Sequence, residues 1–178
     1  MQKLYLLHAG FEANPDYVEK TKCPRKLMHL VAKTDTGATR VLIVHDWLPF
    51  IYVKDINDRQ DPVLAEHIGR WNIESVQIVR RIQAVGFSNN KQISYAKVRL
   101  YKYPFFCSDQ KFATQRIFEK TIKPHSKFFC ETGLRTGAWF SVSHNRNEVC
   151  MADLTPLPND STPPTLTVMA YDLVSVCS

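Results

Sequence analysis

Met28-His-Leu-Val-Ala-Lys33-Thr-Asp35-Thr-Gly37-Ala-Thr-Arg40-Val-Leu-Ile-Val44 reads as two apolar, β-branched runs around a polar joint. Asp35 and Gly37 supply the side-chain oxygen and the backbone freedom that a tight turn needs, so 28–33 and 40–44 form a β-hairpin. Upstream, residues 4–7 read as a short strand and residues 14–26 as a basic loop. Downstream, Trp47-Leu48-Pro49 leads into another short strand, 50–53.

Further along, Asp61-Pro62 is an N-cap followed by proline at the first helical position. Leu64, Ile68 and Trp71 follow on one face of the helix it opens. The runs 76–85 and 92–101 flank Ser88-Asn89-Asn90-Lys91 and form a second hairpin. Ser108-Asp109 caps another helix, predicted to run to about Lys120 and to end before Pro124. Residues 128–130, 138–142 and 149–151 read as short strands. Hairpins and helices mix without a regular βαβ alternation, so the predicted class is α+β.

The chain has 178 residues, enough for one well-buried domain with an appendage. No apolar run approaches the roughly 20 residues of a membrane helix, so no membrane partner is expected. The opening Met1-Gln-Lys-Leu-Tyr-Leu-Leu-His8 lacks the pattern of a secretory leader. Five cysteines (Cys23, Cys107, Cys130, Cys150 and Cys177) contain no Cys-x-x-Cys pair, which suggests neither a disulfide framework nor a zinc site. The expected address is an intracellular, reducing compartment. Between Lys97 and Lys127 lie eight bases against two acids, an excess equal to the +6 net charge of the whole chain. A localised basic excess is a footprint for polyanions, and ordinary solvated surfaces also carry one.

With period two, Tyr95, Lys97, Arg99 and Tyr101 share one strand face, while Ala96, Val98 and Leu100 share the other. Rings alternating with cations suit the stacking of bases and the neutralising of single-strand phosphates. The plainer alternative is a half-exposed strand with shielding tyrosines. The six histidines lack ligand spacing, His45-Asp46 is not a dyad, and no Ser/His/Asp or Cys/His set is recognisable. Gly133 and Gly137 frame a structural turn rather than a phosphate loop. Near the end, Asp160-Ser-Thr-Pro-Pro-Thr165 feeds Leu166-Thr-Val-Met-Ala-Tyr-Asp172-Leu-Val174-Ser-Val-Cys177, an apolar strand with one carboxylate at its centre. It reads as the opening strand of a domain whose remainder is missing. Asp172 is either a solvent-facing strand residue or a metal ligand for phosphoryl transfer, a chemistry that needs several carboxylates.

Taken in order, these segments resemble the N-terminal part of family B DNA polymerases, most closely the delta-type enzymes and their large-DNA-virus relatives. Met28 to Gly37 followed by Val41-Leu-Ile-Val-His45-Asp-Trp-Leu-Pro49-Phe-Ile-Tyr52-Val53 is similar to the family's strand–turn–strand leading to a Pro-Tyr/Phe-x-Tyr end. The pair 76–87 and 94–101, then the helix near 108–120, resembles the hairpin and helix that come next. Phe128-Phe-Cys-Glu131-Thr-Gly-Leu134-Arg-Thr-Gly137-Ala-Trp139-Phe resembles a segment in which an Asp-Thr-Gly-like turn precedes a Gly-x-x-Trp or Gly-x-Trp strand. Pro164-Thr-Leu-Thr-Val-Met-Ala-Tyr171-Asp172-Leu-Val174 looks like the lead into the proofreading domain, where the family's pattern ends Asp-Ile-Glu.

The resemblance implies a polymerase-type N-terminal domain over 1–157, a Pro-rich linker over 158–165, and over 166–178 the first strand of a truncated, RNase H-like 3′–5′ exonuclease domain. It implies DNA-directed DNA polymerase and exonuclease activity for the family, with Mg²⁺ as cofactor and template or single-stranded DNA as partner. Asp172 matches the metal-binding Asp of the first exonuclease motif, but Val174 stands where the Glu belongs and has no oxygen for a hard cation. This chain alone is therefore expected to bind no Mg²⁺ and to be catalytically silent, with a second chain supplying the rest. Its expected setting is a nucleus or a viral replication site. The alternative is a stand-alone small nucleic-acid-binding or interaction protein without a catalytic role.

Overall fold

The computed structural model of the chain describes residues 1–19, 21–54, 73–82, 92–101, 117–119, 121–158, 160 and 163–164. Its first strand, β1 (Gln2–Ala13), buries Leu4 and Leu6 and then Ala9. The shift from even to odd positions has a cause: the pairing register slips between Leu6 and His8. An extra residue there re-aims the side chains that follow. That break in alternation is why the sequence suggests a strand over 4–7 only.

β2 (Lys26–Thr34) and β3 (Thr39–Val44) form the expected hairpin, pairing Met28 with Val44 and Lys33 with Thr39. Gly37 takes the positive φ of 86° that the turn requires, and Thr34 N–H bonds the Ala38 carbonyl at 2.9 Å. β4 (Phe50–Lys54) follows. β5 (Ile73–Ile82) and β6 (Gln92–Leu100) pair antiparallel, as expected. The joint at 88–91 and the helix suggested after Asp61-Pro62 lie outside the described residues.

Three expectations are corrected. Residues 117–118, assigned to the end of a helix, form β7 (Ile117–Phe118), which pairs with Val53 and Tyr52 of β4; the rest of the 108–120 stretch lies outside the described residues, Glu119 excepted. Pro124 closes no helix over the described residues 121–123 and instead starts one, and residues 128–130 are not a strand. Both belong to α1 (Pro124–Thr132). Proline is well placed in a first turn, because the N–H it lacks would have no intrahelical partner there. Gly133 ends α1 with φ 72° and donates its N–H to Phe129 O at 2.9 Å. β8 (Trp139–Val142), β9 (Glu148–Val149), a 3₁₀ turn (Met151–Asp153) and β10 (Leu154–Pro156) complete the described residues.

The described residues are mostly β, in two sheets with one α-helix, where hairpins mixed with short helices were expected; the stretches read as helices from the sequence lie largely outside the described residues. The six-stranded sheet runs β10-β8-β1-β2-β3-β9 and the four-stranded sheet β5-β6-β4-β7. Leu4, Leu6, Met28, Leu30, Leu42, Val44, Trp47, Phe128 and Phe140 form the first core. Ile51, Val53, Ala96, Val98 and Leu100 form the second. Leu100 N–H bonds Pro49 O at 2.9 Å and extends the β4–β6 ladder, while Arg25 N–H bonds Tyr101 O at 3.1 Å and ties the start of β2 to the end of β6, linking the two sheets. Phe128 carries α1 into the first core, so neighbouring side chains of α1 meet the second sheet. Residues 166–178 lie outside the described residues. No helix among the described residues is long and apolar enough to cross a membrane.

Candidate functional site

β6 obeys its period. Ala96, Val98 and Leu100 are buried in the second core, and Tyr95, Lys97 and Arg99 project to the opposite face. β4 lies antiparallel beside it, with Tyr52 opposite Lys97 and Phe50 opposite Arg99. Phe50 and Tyr52 therefore join the same face. Four rings line up edge to face: Phe50–Tyr52 at 5.5 Å, Tyr52–Tyr95 at 6.3 Å and Tyr95–Phe118 at 5.6 Å between centroids. Such pairs contribute about 0.5–1.5 kcal/mol each beyond the area they bury.

α1 lies across this face and leaves a cleft of about 610 Å³, lined among others by Phe50, Tyr52, Arg81, Tyr95, Lys97 and Lys127. Glu131 is its electrostatic centre. Its Oε1 accepts from Lys97 Nζ and, at 2.9 Å, from the Arg99 guanidinium; its Oε2 accepts from Trp47 Nε1 at 2.7 Å. Arg99 is oriented further by its other arm, which donates to Leu48 O at 3.1 Å. Cations also surround the Phe50 ring, with Lys97 Nζ 4.0 Å, Lys127 Nζ 5.0 Å and the Arg99 guanidinium carbon 5.8 Å from its centroid.

Lys127 is 2% exposed and donates to Phe50 O. Burial, helped by the Lys97 charge, lowers its ammonium pKa to about 8, against the pull of Glu119 and Glu131. Burial likewise pushes the Tyr52 phenol up, partly offset by Arg81, whose guanidinium lies 3.5 Å from the hydroxyl. Arg81, Lys97 and Lys127 line the cleft with Glu119 and Glu131, and Arg99 pairs with Glu131, so the formal charge of the site is net positive.

Of the residues singled out from the sequence, the structure brings Tyr95, Lys97 and Arg99 together. Tyr95 and Lys97 are buried and Arg99 is half-buried. Tyr101 is half-buried just past the end of β6, its phenol pushed up by burial and then by Glu74. Asp172 lies outside the described residues. Sequence reasoning missed Glu131, Trp47, Phe50 and Lys127. Phe50 and Tyr52 carried a signal, since they alternate on a strand, but Glu131 carried none.

A second cluster was also missed. Cys150 Sγ lies 3.3 Å from His45 Nε2, a Cys/His pair that the sequence did not reveal. Burial, Asp46 and Asp153 all push this thiol up, which opposes formation of a nucleophilic thiolate. Asp153 is held below the usual carboxylate range by Ser143, by the Cys150 backbone N–H and by His144. The cluster reads as a structural tie between the end of β3 and the 3₁₀ turn. Among the described residues, no group of three or more His, Cys, Asp or Glu is placed to hold a metal ion.

No protein-family model matches the chain, and no curated protein matches it. Among solved structures, the chain is similar to a family B DNA polymerase from the hyperthermophilic archaeon Pyrobaculum calidifontis, with a TM-score of 0.68 and 17% sequence identity. The match covers 92% of this chain and 21% of that one. At that identity the likeness is one of fold, shared along nearly the whole of this chain.

Proposed function

We propose that this chain is the N-terminal module of a family B DNA polymerase of delta or large-DNA-virus type. In this reading it holds single-stranded or template DNA along the β6 face that carries Tyr95, Lys97 and Arg99, with Tyr101 at its end. The observation that carries the reading is the shared fold over 92% of the chain. It is supported by the meeting, in one net-positive cleft, of an aromatic row with several cations. Rings provide a sequence-tolerant stacking surface, and cations neutralise the phosphates that pass it. Mg²⁺ is the ion the polymerase resemblance implies; a lone Asp172 with Val174 two residues on gives this chain half of the carboxylate pair that would hold it.

A module that binds a protein partner and no DNA is the second reading. One observation favours it: Lys97 and Arg99 both already share Glu131.

Titration of a fluorescent single-stranded oligonucleotide over a range of salt separates the two. Lys97→Gln with Arg99→Gln keeps hydrogen-bond donors for Glu131 while removing two charges. The double variant is expected to bind more weakly, its log–log salt slope flatter by about 0.7 for each cation in contact with phosphate. Unchanged affinity and slope in a folded double variant leaves the DNA reading without its site.

A further inference from the structure

We propose that Glu131 is a positioning residue that sets how strongly the β6 face binds polyanions, its carboxylate standing where a backbone phosphate would sit between Lys97 and Arg99. The inference rests on the DNA-binding reading above and adds a restraint to it.

The geometry is that of an anion site already filled from within. Donors from β6 converge on one oxygen of Glu131, and the Trp47 indole N–H bonds the other. Carboxylate and phosphate present similar oxygens to a guanidinium fork and compete for the same N–H groups. Glu131 also sits in the last turn of α1, where the unsatisfied carbonyls disfavour a negative charge. Its position is therefore held by Lys97, Arg99 and Trp47 rather than by its own helix. The three ionic side chains keep solvent contact, with relative exposures of 10% for Lys97, 23% for Arg99 and 18% for Glu131. An incoming phosphate can reach the pair and exchange with the carboxylate.

Exchange requires that a strand displace Glu131 or share its cations, so the wild-type chain binds DNA below the capacity of its bases. Removing the internal competitor has a sign opposite to that of ordinary damage. A purely structural Glu131 would, once neutralised, leave a looser domain and no gain in affinity.

The experiment is the same salt-dependent titration with Glu131→Gln, which keeps the side-chain shape and an acceptor for Trp47. The expected result is a dissociation constant lower by about threefold to tenfold and a slope steeper by about 0.7, one phosphate contact. Glu119→Gln removes an equal charge from the same cleft and is expected to change affinity less. Should Glu131→Gln fail to fold, the ¹H–¹⁵N resonance of Trp47 Nε1 in the wild-type chain reports the exchange, shifting as the oligonucleotide is added. Affinity that is unchanged or weaker in Glu131→Gln, or matched by Glu119→Gln, overturns this inference alone when Lys97→Gln with Arg99→Gln still weakens binding. A Trp47 resonance that stays fixed while the oligonucleotide binds also overturns it. Absence of binding by the wild type and every variant overturns both readings.

Discussion

Lys127 shows what a single buried cation does to the pH response. Below about pH 8 the folded and unfolded chains both carry its proton, and the folded chain bears the whole cost of desolvating the ammonium. Between about 8 and its ordinary 10.5, the unfolded chain binds more protons than the folded one. Stability therefore rises with pH through that window. Lys127→Met keeps an unbranched side chain and removes the charge. The stability of this variant relative to wild type is expected to be highest near about pH 7 and to fall toward about pH 10 as wild type sheds its penalty. Paired thermal melts across that range check it, and a constant difference would show that another group is responsible. At this scale the sequence was partly legible. The alternation of Tyr95, Lys97 and Arg99 with Ala96 and Val98 follows from strand geometry alone, and the structure repeats it. The partner those cations choose was not legible, because Glu131 lies 32 to 34 positions away with nothing in between to mark it.

α1 is the element on which the site depends, and its ends are its least replaceable parts. Gly133 holds a left-handed φ of 72°, and a Cβ added there would meet Pro156 Cγ at 3.4 Å. Gly133→Ala is expected to lower stability by about 1 kcal/mol through backbone strain at the helix end. Urea unfolding measures this as a lower midpoint with an unchanged slope. The helix escaped sequence reading for a physical reason. Its faces serve two sheets, with Phe128 turned to the first core and Lys127 and Glu131 to the face of the second sheet that lies away from the second core. Apolar residues then never line up as one stripe, and Phe128-Phe129-Cys130 taken alone has the composition of a strand. β7 failed in the opposite way: two residues are too few to show any period. The hairpins were legible because turn chemistry and β-branched runs agree with one another there, as with Gly37 between β2 and β3.

At the scale of the molecule, the order of segments carried more than any one of them. Pieces spread over 28–174 suggested a polymerase-type fold, and the fold likeness extends over 92% of the chain. The acid at residue 172 belongs to this scale, because a carboxylate becomes a metal centre only in company. The isolated chain is expected to leave a labelled single strand intact in the presence of Mg²⁺, as resolved on a denaturing gel. Nuclease activity abolished by Asp172→Ala would refute that expectation. The first sheet sets an order of assembly. β1 takes one neighbour from the adjoining β2, but its other edge waits for Trp139 to Val142, paired with Tyr5 back to Gln2. Because that partner lies far along the chain, closing this edge costs more loop entropy than pairing β1 with β2, and the β1–β8 ladder is expected to form after the β1–β2 one.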